Sequence, residues 1–227
     1  NPCLACQLPR IEKKEMAVLT GDDLKLFLQE IKGKPFEYVY FCTVFTGLRE
    51  SEIIGLTWDC IDFEKSIIKV YRQLKRERQS NNGNEYVFDT LKNGKTRAIS
   101  PAPVVFDMLK VVKREQAKNR LKMGKAYSNP DDLVFTDEIG GHLCSPTIWK
   151  HFKAHAKAIN RPELRFHDLR HSFATISLEN GDDIKTVSEN LGHATVAFTL
   201  DVYGHVTDKM KKDSADRMQK YFEGLGG

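Results

Sequence analysis

His167-Asp168-Leu169-Arg170-His171, Leu191-Gly192-His193 and Tyr203 stand in this order in a stretch that reads as helical from Arg165 onward, punctuated by Asn180-Gly181 and Gly192. His167 and Arg170 are three residues apart, so on a helix both side chains lie on one face and reach the same ligand. Gly192 suits a helix C-terminus and frees His193 to face a cleft. Ten residues beyond His193, Tyr203 reads as a nucleophile aimed at a phosphodiester. A phenol with an ordinary pKa near 10 needs cations or bases beside it to attack at neutral pH. Taken singly, a His-x-x-Arg is more often surface decoration, and a Tyr near a helix end is more often packing.

The residues upstream supply what such a nucleophile lacks. Thr46-Gly-Leu-Arg-Glu-Ser-Glu-Ile53 interrupts a helix expected over about Phe36 to Thr46, with Gly47 as the breaker and a short helix opening after Arg49. Guanidinium forks match phosphate oxygens and stay charged at any working pH, so Arg49 and Arg170 are candidates for neutralising non-bridging oxygens. A structural ion pair is the plain alternative for each. Ile67 to Leu74, Glu85 to Leu91 and Thr96 to Ile99 read as three strands of one small antiparallel sheet, with Asn93-Gly94 as a hairpin signal. Lys92, just before that turn, can swing into a bound duplex and give a proton to a departing 5′ oxygen, and Lys95 competes for the role. As an ordinary solvated turn residue, Lys92 would do neither.

The remaining elements are helical. Thr20-Gly-Asp-Asp23 opens a helix with Leu24, Phe27, Leu28 and Ile31 on one face, ended near Gly33 and Pro35. Val104 to Leu121 follows Pro101, and Ser145-Pro146 starts a helix running to about Ile159. The expected class is α+β, mainly α, helical with a small three-stranded antiparallel sheet.

Composition narrows the setting. At 227 residues with 41% apolar content, the chain is long enough for one large core or two small domains. No uninterrupted apolar run approaches the roughly 20 residues of a membrane-spanning helix, and the N-terminus lacks a signal-peptide pattern, so a cytoplasmic location and no membrane partner are expected. Cys3, Cys6, Cys42, Cys60 and Cys144 are odd in number and scattered, which favours reduced thiols. Cys3-Leu-Ala-Cys6 has the spacing of half a zinc site, but no second CxxC or HxxxH pair completes a tetrahedron, so no metal is expected.

Charge is segregated although the chain nets only +4. Basic residues outnumber acidic ones eight to three from Lys69 to Arg97, seven to one from Lys110 to Lys125 and six to two from Lys150 to Arg170. Such segregation suits a polyanion, because neutralising phosphates releases condensed counterions. For Lys110 to Lys125 alone, a solvated helix face explains the run equally well. Candidates for contacts to nucleic acid are Arg72, Lys75, Arg76 and Arg78 in the strand segment, Lys95, and Lys150 and Lys153 on the later helix.

With these segments in this order, the chain resembles the catalytic domain of the tyrosine recombinase (phage integrase) family from about Glu15 to Val206. The family's catalytic set would fall on Arg49, Lys92, His167, Arg170, His193 and Tyr203. The strand segment and Ala197-Phe-Thr-Leu-Asp-Val-Tyr-Gly-His-Val206 look most like integrases of Gram-positive conjugative transposons. The resemblance implies cleavage and rejoining of DNA through a 3′-phosphotyrosine intermediate and a Holliday junction, serving integration and excision of a mobile element. It implies no cofactor, since the covalent linkage retains the phosphodiester energy.

The implied partners are a double-stranded recombination site, further copies of the chain in a dimer or tetramer on that DNA, and an accessory DNA-bending or excision factor. Residues 1–15 then correspond to an interdomain linker, 16–206 to the catalytic domain and 207–227 to a C-terminal helical tail that docks on a neighbouring copy or on its own. Core-binding and arm-binding domains are expected in the parent protein, outside these 227 residues. His171 and His205 are expected to pack or to support the catalytic residues from behind, and Glu52 to be a structural acid near Arg49. A type IB topoisomerase or telomere-resolving enzyme shares the chemistry, and a DNA-binding module without catalysis is the alternative from another class.

Overall fold

The apolar stripe Leu24, Phe27, Leu28 and Ile31 forms one side of α1 (Gly21–Ile31). It buries Phe27 and Ile31 completely and packs Leu24 and Leu28 against the same core. The protein is described by a computed structural model covering residues 16–79, 83–91 and 94–225. After α1 come α2 (Glu37–Thr46), α3 (Glu50–Ile54) and the strands β1 (Ile61–Asp62), β2 (Ile67–Val70), β3 (Arg72–Gln79), β4 (Gly83–Thr90) and β5 (Arg97–Ile99). The chain then continues through α4 (Pro103–Met123), α5 (Ser145–Ala158), α6 (Asp168–Glu179), α7 (Ile184–Leu191) and α8 (Val196–Gly224).

Two clusters of buried side chains hold these elements. The larger joins α1 to α5 and the strands, with Phe27, Tyr40, Phe152 and Phe166 in tilted and edge-on ring contacts. Fully burying a side chain such as Phe27 stabilises by roughly 1.5–3 kcal/mol. The smaller joins α6, α7 and α8 through Ala174, Leu178, Val187, Leu191 and Tyr203. Helix α6 bridges the two, with Leu169 in the first and Ala174 in the second.

The strands depart from the expectation of a single three-stranded sheet. A three-stranded antiparallel sheet has the order β1-β2-β5, and β3 and β4 form a separate two-stranded ribbon. The run Ile67 to Leu74 divides at Tyr71 because its two halves bury different faces. Ile68 sits opposite Ile99 in the sheet, whereas Leu74 is buried against Gly55, where a Cβ would lie 2.6 Å from the Leu74 amide nitrogen. Gln73 fastens the second half by donating to the Thr90 carbonyl at 2.6 Å and accepting from Ser51 Oγ at 2.9 Å. The residues before and after Asn93-Gly94 therefore pair with other strands and not with each other. Gly94 still turns the chain, with φ +62° and its N–H donating to the Leu91 carbonyl at 2.7 Å.

Candidate active site

Arg49 owes its position to the two glycine-led breaks of the fold. Gly47 ends α2 in the left-handed conformation at φ +65°, and its missing side chain leaves room for Phe173, whose Cδ1 would stand 2.4 Å from a Cβ there. The chain then turns into α3 with Arg49 as its N-cap. Glu52, three residues on, accepts from the Arg49 backbone N–H at 2.8 Å and from Arg49 Nη1 at 2.9 Å. These two bonds, both donated by Arg49, fix the start of the helix and the direction of the guanidinium.

Three guanidinia converge on three consecutive carbonyls at the end of α7. Arg97 Nε donates to the Asn190 carbonyl at 2.8 Å, Arg170 Nη2 to that of Leu191 at 2.5 Å and Arg49 Nη2 to that of Gly192 at 3.2 Å. These acceptors are the carbonyls that a helix C-terminus leaves without intrahelical partners, and the partial negative charge there favours cations. Arg170 also reaches back to the Gly47 carbonyl at 2.6 Å, so one buried side chain joins both breaks. Burial and the nearby Arg49 and Arg97 lower its pKa to about 9, which leaves it charged at neutral pH. Burial alone would raise the Glu52 carboxyl, but Arg97 and Arg49 hold it below the usual carboxylate range.

Gly192, at φ +64°, ends α7 and delivers His193 beside these cations. His193 Nδ1 lies 2.8 Å from the Thr199 hydroxyl, and its ring stands edge-on to Phe198 at 4.9 Å. Burial, then Arg170 and Arg49, pull its pKa down to about 3, so the ring is neutral at pH 7. Arg49, Lys95, Arg97, Gly192 and His193 line one cleft of about 460 Å³.

The remaining residues of the set lie around α6. His167 is exposed at the N-cap of that helix. The surrounding protein and Arg170 lower its pKa, and its ring meets His171 edge-on at 4.9 Å. Tyr203 is 1% exposed within the α6–α8 cluster, its hydroxyl 2.7 Å from His171 Nδ1. Burial raises the phenol to about 12, against the pull of Arg170. Burial also lowers His171 to about 4, so a neutral imidazole lies against the phenol, and its tautomer sets which of the two donates. Tyr203 itself has non-helical backbone angles, φ −116° and ψ 19°, at a kink inside α8. His171 therefore stands where a residue supporting the Tyr from behind would be, against its hydroxyl.

Lys92 and the side chain of Arg78 lie outside the described residues, as do Cys3, Cys6 and the side chain of His205. Among the candidates for nucleic-acid contact, Lys75 and Arg76 are exposed on β3, with Lys75 paired to Asp89 across the ribbon. Arg72 is held between Thr57, Asp59 and the rings of Tyr71 and Phe88. Lys150 is exposed on α5, while the Lys153 ammonium donates to the carbonyls of Pro162 at 2.9 Å and Leu164 at 2.6 Å. Arg97 went unnoticed in the sequence. It shares the inward face of β5 with Ile99 two residues on, and a cation at an inward strand position signals a buried partner.

Known proteins share this geometry's sequence and fold. The profile of the phage integrase family matches residues 17–210. A XerC-like tyrosine recombinase of Caldanaerobacter subterraneus subsp. tengcongensis is 30% identical, covering 98% of this chain and 60% of its own length. The ICEBs1 integrase of Bacillus subtilis is 25% identical, covering 96% of this chain and 58% of its own length. The chain therefore spans about 60% of the length of these relatives. A solved structure of the Tn1549 transposon integrase in complex with transposon right end DNA superposes with a TM-score of 0.73 at 24% identity, covering 93% of this chain and 68% of that one. By the extent of the family match and the fold it shares, the chain belongs to the phage integrase family of tyrosine recombinases.

Proposed function

We propose that this chain is the catalytic domain of a site-specific DNA recombinase that integrates and excises a mobile element through a 3′-phosphotyrosine intermediate. The observation that carries the reading is the convergence of Arg49, Arg170 and His193 at the end of α7, with Tyr203 on the next helix. In the forward step the Tyr203 oxygen bonds to phosphorus, the bond from phosphorus to the 5′ oxygen breaks, and the leaving oxygen takes a proton from Lys92 or Lys95. The phenolic proton has His171 Nδ1 within reach. Arg49 and Arg170 offer N–H donors to the non-bridging oxygens, where fixed donors aimed at developing charge lower the barrier most. Rejoining is the reverse reaction by a 5′ hydroxyl. For attack the phenol has to leave its buried place, and the kink inside α8 at Tyr203 is where the backbone can turn.

DNA is the partner that the basic ribbon fits, and the transposon integrase of the same fold was solved in complex with transposon right end DNA. Exposed Met218, Tyr221, Phe222 and Leu225 follow helical spacing near the end of α8 and suit docking on a second copy. Truncation after residue 213 is expected to lower multimer formation in sedimentation runs, and an unchanged distribution rejects the docking role. The enzyme reading is tested by offering the chain a random pool of nicked duplexes and recovering those captured covalently on a denaturing gel. Capture that vanishes in Tyr203→Phe supports it, and no capture by the parent chain leaves a DNA-binding module. With captured duplexes in hand, junction exchange, relaxation of supercoils and hairpin closure separate a recombinase from a topoisomerase or a telomere-resolving enzyme. A 5′-bridging phosphorothiolate should rescue alanine at Lys92 or at Lys95, whichever is the proton donor, since a thiolate leaves without a proton.

A further inference from the structure

The carboxylate of Glu52 serves two guanidinia at once. Its side chain is 1% exposed and accepts from Arg49 Nη1 at 2.9 Å, while Arg97 gives it a fork of two bonds at 3.0 and 2.7 Å. Were Glu52 paired with Arg49 alone, the pair would be neutral and the cleft would hold one cation fewer for a phosphate. Arg97 changes that sum, because Arg97, Glu52 and Arg49 together carry one net positive charge. The excess sits at the open end, since the Arg49 side chain is 26% exposed and that of Arg97 only 10%. In a site of low dielectric, one charge at a few ångströms is a large part of the field on a reacting phosphate.

Arg97 is also braced against the turn that delivers His193. Its Nε holds the Asn190 carbonyl at 2.8 Å. A Cβ at Gly192 would lie 2.9 Å from Arg97 Nη1 and 3.1 Å from its Cδ. Gly192 is therefore required twice, for its left-handed backbone and for the space the guanidinium fills.

We propose that Arg97 is a positioning residue for phosphoryl transfer, neutralising Glu52 so that Arg49 keeps its charge for the phosphate and fixing the end of α7 so that His193 faces the cleft. This rests on the recombinase reading above, which covalent capture by the parent chain tests separately. The electrostatic role makes a prediction that simple support of the fold does not. A methylphosphonate at the scissile position has a methyl group in place of one non-bridging oxygen and no charge to neutralise, so it has less need of the cation.

The experiment measures single-turnover capture of a nicked duplex selected on the parent chain, with either a phosphodiester or a methylphosphonate at the scissile position. Arg97→Met is expected to slow the phosphodiester by about 100-fold and the methylphosphonate by less than about tenfold, a tenfold change being about 1.4 kcal/mol in the barrier. Arg97→Lys, which keeps the charge but not the fork, should fall between. The double variant Arg97→Met with Glu52→Gln restores one net charge through Arg49 and should regain about tenfold over Arg97→Met on the phosphodiester. It also removes the unpaired buried carboxylate, so it keeps the test open if Arg97→Met folds poorly. Equal losses on both substrates, or a double variant no better than Arg97→Met, would overturn the proposal.

Discussion

The Tyr203 hydroxyl lies 2.7 Å from Nδ1 of His171, and the α6–α8 cluster buries the Tyr203 side chain. The nucleophile of the proposed reaction is therefore stored as a neutral phenol against a neutral imidazole. Burial lowers His171 to about 4 and His193 to about 3, below the ordinary His value. A His with a depressed folded pKa binds fewer protons folded than unfolded, so its effect on stability is absent above the unfolded value near 6.5 and becomes destabilising as pH falls below it. Urea midpoints should drop from pH 7 to pH 5, a window above most carboxylate titration. His171→Gln should shrink that drop, and an equal drop in the variant would place the titration elsewhere.

Much of this arrangement was legible in the residues, and the rest was hidden for physical reasons. Helix breaks at Gly47 and Gly192 could be read locally because the left-handed conformation favours glycine. Arg49 and His193 could be read from their place at those breaks, and Arg170 from its spacing to His167. Sheet pairing could not, since the division at Tyr71 depends on Leu74 packing against Gly55, a contact between residues far apart in the chain. Nor could the burial of Tyr203 be read, because it follows from how α8 packs on α6 and α7. A phenol in a helix has the same local pattern whether it faces a cleft or a core.

Gly47→Ala should lower stability and activity together. The new Cβ would sit 2.4 Å from Phe173 Cδ1 and 2.9 Å from Leu191 Cδ2, at a φ of +65° that Ala resists. Overpacking and backbone strain each cost of order 1–3 kcal/mol. Because the Gly47 carbonyl accepts from Arg170, movement there also shifts the cation. Denaturation and covalent capture measured on one preparation check both effects.

Lys150 and Lys153 lie one helical turn apart on α5 and should behave differently. Lys150 is exposed, so Lys150→Ala is expected to weaken DNA binding across sequences and reduce the salt slope by about 1 if it meets a phosphate. Lys153 donates to two carbonyls in the segment that leads into α6, so Lys153→Ala should lower the melting temperature with little change in slope. Binding titrations across salt concentrations, paired with thermal unfolding, separate the two. The opposite pattern would exchange their assignments.

Arg170 joins structure and chemistry more tightly than any other cation described in the site. Buried at 3% exposure, it donates to the carbonyls of Gly47 and Leu191, at the two breaks that end α2 and α7. Arg170→Ala leaves two carbonyls without these donors and opens a void, which should cost about 3–5 kcal/mol, as for loss of one partner of a buried charged contact. Arg170→Lys retains a charge but presents a single ammonium where a planar fork spanned both acceptors, so it should cost only about 1–2 kcal/mol of stability. Its capture rate should nonetheless fall by about 100-fold or more, since one point charge cannot hold both turns and a phosphate oxygen in fixed geometry. Urea denaturation alongside single-turnover capture distinguishes these losses. A Lys variant that captures DNA at the parental rate would show that the fork at residue 170 serves the fold alone.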